Sequence, residues 1–321
     1  MKIHRIELPT IFGMKTVNSF VKKGDEVVLI DCGEATDQSY HALVVGLKEI
    51  GLTLSDIDRI ILTHAHVDHM GMAERIAVEA KAEVWVNDIT YDWAVRPSEM
   101  WSDREKIMMP SLTAYFEESV RPFIMQGYQE MMGTVKDVWL PIHPDHLRKF
   151  DKEGKLEIDG EIWDVWYMPG HSQTQSTFYH SFTASYLSAD MLLKITPTPV
   201  IERSLENPSE RSRGIHEMMK SYERLLQRDI HTVYPGHYEA FVDCHQMINN
   251  QVNRINKRCE ETFKLIAKGI YSFFELYQQL YAGRLSMPAM IMMIAYLDLL
   301  EKEERIVVEE ENGVFGFHAV S

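Results

Sequence analysis

The sequence predicts an α/β fold on three observations. Short apolar runs of strand length recur at 27–30, 59–62, 83–86, 164–168, 185–189 and 231–234. Longer stretches with helical spacing lie between several of them, at 37–50, 71–80 and 210–227. The second half repeats the order strand, polar loop, helix of the first, as a weak internal duplication would. Strands that alternate with helices build layered α/β proteins.

Val27-Val28-Leu29-Ile30 is apolar on both faces, as a strand covered on both sides is, and it closes on Asp31. An Asp there either forms a turn before Gly33 or, if buried, accepts from a nearby His or backbone N–H. Arg59-Ile60-Ile61-Leu62 is the next strand. It delivers Thr63-His64-Ala65-His66-Val67-Asp68-His69 onto the loop at its C-terminal end. Four potential metal ligands in six residues, at the spacing H-x-H-x-D-H, are not explained by packing. Imidazole suits zinc and similar transition metals, and carboxylate suits a harder or second cation. His64 and His66 can point the same way from an extended loop, while Asp68 and His69 follow the next turn toward a neighbouring ion. Three later strands end alike: 164–168 in Pro169-Gly170-His171, 185–189 in Asp190, and 231–234 in Pro235-Gly236-His237. Pro and Gly before a His stop the strand in a tight turn and expose the imidazole. His64, His66, Asp68, His69, His171, Asp190 and His237 make seven ligands, enough for two metal ions and an open water position.

Residues 88–150 exceed what two sheets and their helices need. Trp93, Trp101, Tyr115, Phe116, Tyr128, Trp139 and several Met recur there at spacings of three and four, so helices are expected. The segment reads as a helical cap closing an apolar pocket over the metals, because Met and aromatic side chains adapt to flexible acyl chains or rings. Residues 245–321 form a separate tail. Ile248, Val252, Ile255, Cys259, Phe263 and Ile266 make an apolar stripe on one long helix, ended by Gly269. Ser272 and Glu275 form a capping box for a second helix stopping near Gly283, and Ser286 and Pro288 open a third. Asn312-Gly313 between two apolar runs signals a hairpin. Three helices and a hairpin look like a winged-helix unit. The expected domains are 1–244, containing the 88–150 insertion, and a helical, winged-helix-like 245–321.

The net charge of −15 repels phosphate backbones. Residues 261–321 hold five Lys or Arg against nine Asp or Glu, whereas a DNA-reading wing presents clustered bases. The tail is therefore expected to pack or to make a homodimer contact. Residues 287–300 are apolar but too short to span a bilayer, so no membrane is expected. Met1-Lys2-Ile3-His4-Arg5 lacks the apolar core of a signal peptide, and Cys32, Cys244 and Cys259 form no C-x-x-C pair. A cytoplasmic protein with a small-molecule substrate, not a nucleic acid, is the expectation.

The ordered set H-x-H-x-D-H, a distant His, an Asp and a last His resembles the metallo-β-lactamase superfamily over about residues 1 to 240. Carried over position by position, the resemblance implies that His64, His66 and His171 hold a first metal. Asp68, His69 and His237 would hold a second, with Asp190 bridging. It also implies a four-layer αβ/βα sandwich with the metals along one edge of the sheets. Similar tails occur in a lactamase-like hydrolase branch near glyoxalase II. Met72 stands where many hydrolytic members, glyoxalase II types included, have a second Gly. Asp190 stands where the antibiotic-degrading branch commonly has Cys, and His66 where the flavodiiron branch has Glu. A complete second ligand set also departs from the single iron of the persulfide dioxygenase branch.

The implied cofactors are two divalent metal ions, zinc first, with iron or manganese also able to take these ligands. Such a pair, about 3.5–4 Å apart, shares a water and lowers its pKa toward ~7, giving a metal-bound hydroxide. Asp68 is the implied catalytic residue, as ligand and as orienter of that nucleophile. A thioester, ester or lactone of a small, partly apolar substrate is the leading substrate class. A phosphodiester or RNA is the alternative for the same site, and effector-binding regulation through the tail is the reading from another class. Lys194, Arg203, Arg211 and Arg213 follow the bridging Asp, where they either reach a substrate carboxylate or phosphate or are simply exposed.

Overall fold

The computed structural model of the chain describes residues 2–11, 13–282 and 286–320. Two sheets are stacked face to face. The first takes β1 (Ile3–Pro9), β2 (Thr16–Lys23), β3 (Val27–Ile30), β4 (Arg59–Ile61), β5 (Glu83–Asn87) and β6 (Leu147–Phe150), in that order. β1, β2 and β3 pair antiparallel, and β3 to β6 run parallel. The second orders β11 (Thr232–Pro235), β10 (Ser185–Ala189), β9 (Ser176–His180), β8 (Glu161–Tyr167) and β7 (Gly154–Ile158). Only its β10–β11 pair is parallel.

Side-chain alternation sorts each strand between two cores. Val28, Ile30 and Ile61 meet Trp163, Val165, Phe178 and Leu187 between the sheets. Leu29, Ile60 and Val84 face outward instead, against Leu43 and Leu47 of α1 (Asp37–Glu49) and Ile76 of α3 (Ala73–Ala80). Met218, Tyr222 and Leu225 of α7 (Gly214–Leu226) cover Trp166, Tyr186 and Val233 of the second sheet. The layers are helix, sheet, sheet, helix, as the sequence led one to expect. The short α2 (Val67–Met70) carries the middle of the ligand motif.

Residues 88–150 do contain helices: α4 (Tyr91–Val95), α5 (Pro97–Thr113) and α6 (Arg121–Asp137). The segment is not helical to its end, because 147–150 extends along β5 as the sixth strand. Trp93 and Trp139 stack at 5.8 Å, with Trp101 edge-on to both. The far end of the segment lies on the C-terminal tail. Tyr115 packs 5.1 Å from Phe273 and 6.1 Å from Phe317, and the backbone N–H of Phe315 donates to Ala114 O at 2.8 Å.

The tail comprises α8 (Cys244–Ala267), α9 (Phe273–Tyr281), α10 (Met287–Lys302) and the hairpin β12 (Ile306–Glu311) and β13 (Val314–Ala319). Ser272 caps α9 by accepting from Glu275 N, as its spacing predicts. Gly283, the expected stop, lies outside the described residues. Asn312 and Gly313 both take left-handed φ, 54° and 76°, which gives the tight turn that matches strand twist. Cys32, Cys244 and Cys259 are buried free thiols. No helix of the described residues is long and apolar enough to cross a membrane.

Candidate metal centre

Every predicted ligand leaves the C-terminal end of a strand, and the two sheets bring those ends to one edge. His64, His66, Asp68 and His69 follow β4, His171 follows β8, Asp190 follows β10 and His237 follows β11. His66 Nδ1 lies 3.0 Å from His64 Nε2 and 3.0 Å from His171 Nε2. Asp190 sits at the centre. Its Oδ2 is 3.4 Å from His171 Nε2 and 3.3 Å from His237 Nε2, while Oδ1 is 3.4 Å from His69 Nε2. Asp68 Oδ2 closes the group, 3.4 Å from His237 Nε2 and 3.9 Å from His69 Nε2.

These separations fit donors that share cations. Tetrahedral bonds of about 2.0–2.1 Å place ligand atoms roughly 3.3 Å apart. His69 Nε2 and Asp190 Oδ1, 3.4 Å apart, are shielded from solvent and make no hydrogen bond among the described residues, a costly arrangement unless a cation satisfies them. Among the described residues, three groupings could each hold an ion: His64, His66 and His171; His64, His69 and Asp190; Asp68, His69 and His237.

Four of the five imidazoles are fixed from behind, while His66 turns its Nδ1 to the cluster. His171 Nδ1 donates to Thr198 O at 2.7 Å, and His237 Nδ1 to Thr16 O at 2.6 Å. His69 Nδ1 donates to Asp31 Oδ2 at 2.7 Å. Asp31 also accepts from Thr63 N and Thr63 Oγ1, both at 2.9 Å, and Thr63 Oγ1 lies 2.9 Å from His64 Nδ1. Asp31 is thus the buried acceptor, and its left-handed φ of 56° shows that it turns the chain as well. Such backing holds the tautomer that leaves Nε2 free to ligate.

Electrostatics divide the cluster. Burial, then neighbouring imidazoles, pushes His64 and His66 well down, so both stay neutral as ligands must. Burial alone would also lower His237, but Asp190 and Asp68 outweigh it and push it up to about 10. Burial opposes ionisation of Asp68, yet His69 and His237 hold it low, at about 2. The acidic half of the site therefore calls for positive charge, which bound cations would supply in place of protons.

Other sequence features fall elsewhere. Lys194 pairs with Glu239 at 2.9 Å. Arg203 bonds Pro208 O, Arg211 grips Asp298 of α10, and Arg213 pairs with Glu301 at 2.6 Å. All four are committed to the protein itself. A cavity of about 620 Å³ opens over the cluster, walled by residues 13–16, by Leu193, Ile195, Pro197 and Thr198, by Tyr238 and by Pro288. No described residue of 88–150 is in that wall, and the aromatic rings of the insertion pack on each other and on the tail. Several contributors gave no sequence signal. Thr16 and Thr198 act through carbonyls that any residue possesses. Gly236, which the sequence marks as a turn former, is also required by proximity, because a Cβ there would lie 2.2 Å from Asp190 Oδ1.

Residues 13–237 match the model of the metallo-beta-lactamase superfamily. The chain is 27% identical over 313 residues to the probable metallo-hydrolase YqjP of Bacillus subtilis (strain 168), covering 94% of this chain and 92% of the relative. The metallo-beta-lactamase family protein TTHA1429 of Thermus thermophilus shares the fold at a TM-score of 0.80 and 22% identity, over 99% of this chain and 98% of that one. A beta-lactamase domain protein from Burkholderia ambifaria does so at 0.78 and 17% identity, over 99% and 92%. Both likenesses extend through the insertion and the tail. With the ligands in order at the sheet edge and the family model spanning them, the chain belongs to the metallo-beta-lactamase superfamily and is one of its hydrolases.

Proposed function

We propose that the protein hydrolyses a thioester, ester or lactone of a small, partly apolar molecule at a dinuclear centre. His64, His66 and His171 hold one cation, Asp68, His69 and His237 the other, and Asp190 serves both; zinc is the favoured metal. When bound, such cations supply an acidified water and Lewis-acid stabilisation of the oxyanion that develops on the carbonyl. Asp68 faces the cavity and orients the attacking water, while His64 and His69 lie behind the other ligands and do not line it. Asp31 and Thr63 keep His69 and His64 aimed.

The observation that carries the substrate class is the cavity wall. Met14, Leu193, Ile195, Pro197 and Tyr238 offer apolar surface directly beside the cluster. Lys15 is the only cation among the described wall residues, too few to seat a polyanion such as RNA. The tail adds no reader of nucleic acid, since its helices pack on the body and its charge is acidic.

Turnover of a medium-chain acyl thioester by metal-loaded protein tests the reading. Activity that falls roughly 100-fold or more in Asp68→Ala, with the fold intact, supports it. No turnover above background with two metals bound would refute it and direct the next assay to phosphodiesters.

A further inference from the structure

We propose that Gln251 is a positioning residue that sets which acyl chains the cavity accepts; the inference rests on the acyl-substrate reading above. α8 buries Ile248, Gln251, Ile255 and Cys259 along one face, so Gln251 interrupts an otherwise mainly apolar stripe. It is fully buried, where an amide is costly unless its hydrogen bonds are made. All its bonds go to one short segment. Nε2 donates to Leu193 O and to Ile195 O, both at 2.7 Å, and Oε1 accepts from Thr196 Oγ1 at 2.6 Å.

That segment belongs to no helix or strand, so its carbonyls have no ladder to hold them. It is also the cavity wall, through Leu193, Ile195 and Pro197. Its continuation reaches the centre, where Thr198 O accepts from His171 Nδ1. Pro288, at the start of α10, completes the same wall. Two tail helices therefore shape the acyl pocket, and Gln251 is the polar hook by which α8 fixes the wall's distance from the metals. Without it, two carbonyls lose their donor and the loop is free to shift by the width of a methylene, the scale on which acyl chains are told apart.

The test compares Gln251→Leu and Thr196→Val with Cys259→Ala, a control on the same helix that does not touch the wall. Acetyl and decanoyl thioesters are assayed for kcat and KM, and decanoate binding is measured by calorimetry on the same metal-loaded proteins. Gln251→Leu is expected to raise KM for the decanoyl substrate about tenfold, to leave kcat within about twofold, and to weaken decanoate to match. The acetyl substrate, too short to use the wall, stays within about twofold. Thr196→Val, which removes one bond of three, shifts decanoate binding in the same direction by less, and Cys259→Ala leaves it unchanged. Equal kcat losses for both thioesters would assign Gln251 to stability or to His171 and overturn the proposal. Unchanged decanoate affinity in Gln251→Leu, or in Thr196→Val if the first variant does not fold, would overturn it too. A wild type that binds decanoate but hydrolyses neither thioester sinks the acyl-hydrolase reading, while the binding comparison still decides Gln251. No decanoate binding by the wild type refutes the role of Gln251 outright.

Discussion

Replacing Asp31 by Asn should separate the two halves of the metal centre. The carboxylate accepts three hydrogen bonds, from Thr63 N, Thr63 Oγ1 and His69 Nδ1, at 2.9, 2.9 and 2.7 Å. In Asp31→Asn, Oδ1 can still take Thr63 N, but an amide NH2 then faces the N–H of His69. Either two donors oppose each other, or His69 changes tautomer and carries its proton on Nε2, the atom needed for ligation. A hydrogen bond to a charged group contributes about 1.5–3 kcal/mol. At about 1.4 kcal/mol per factor of ten, the cation shared by Asp68, His69 and His237 should bind roughly 10–100-fold more weakly. His64, His66 and His171 should lose less, since Asp31 reaches only His64 among them, and only through Thr63. Competition against a chromophoric chelator resolves the two binding steps. Two steps of wild-type affinity in a folded Asp31→Asn protein would show that Asp31 does not hold His69 for metal.

Three further perturbations have defined outcomes. Gly236→Ala places a methyl 2.2 Å from Asp190 Oδ1 and 2.8 Å from His69 Cε1, so metal content measured by mass spectrometry should fall below one ion per chain; full occupancy would contradict the close approach of that turn to the bridging carboxylate. Burial pushes Glu217 up to about 7, against a hydrogen bond from Gln173. The unfolded chain ionises first, near ~4.3, so the stability present below that pH is lost as pH rises to about 7, and Glu217→Gln should be more stable than wild type by about 1–3 kcal/mol at pH 8 but not near pH 4.5. Denaturant titrations at both pH values check this, and parallel changes at the two would count against it. Asp298→Ala leaves Arg211 without its buried carboxylate while Arg213 keeps Glu301, which should cost about 3–5 kcal/mol in the same titrations; a loss under ~1 kcal/mol would mean that Arg211 is already solvated.

The strands that carry ligands were legible because each announces itself twice, by an apolar run and by the residue at its end. Val27–Ile30 and Arg59–Ile61 fell where their composition predicts, and so did α1, α8 and the Asn312-Gly313 turn. The seven candidate side chains converge at one edge of the sheets. β2 was not legible. It is buried almost throughout, yet it contains Asn18 and Ser19, so it shows neither an apolar run nor alternation. What the insertion packs against was not legible for a different reason. Aromatic and Met spacing reveals that helices form but not what they cover, and the partner of Tyr115 is Phe273, more than a hundred residues away. Gln251 carries no signal in the sequence, since only its bonds to the 193–196 loop make it informative.

The polarity of β2 has a cause in the site itself. Ligands come from both sheets, so the centre exists only while the sheets hold register at their common edge. Apolar contacts such as Phe20 and Ile61 with Phe178 and Leu187 press the sheets together but do not fix sliding, because such packing is not directional. β2 supplies the direction. Asn18 N donates to Gly236 O at 2.7 Å, and Asn18 Nδ2 donates to Pro235 O at 2.8 Å and to Tyr238 O at 2.5 Å. Thr16 O takes the proton of His237 Nδ1 from the same strand, and Ser19 Oγ donates to Asp31 O at 2.5 Å. One strand thus tethers His237 of the second sheet and the backbone of Asp31, whose carboxylate aims His69, in the first. An apolar strand at this place would keep its backbone bonds to Gly236 and His237 but lose those of Asn18 Nδ2 and Ser19 Oγ, so the polar side chains of β2 add direction where the candidate ligands of the two sheets meet.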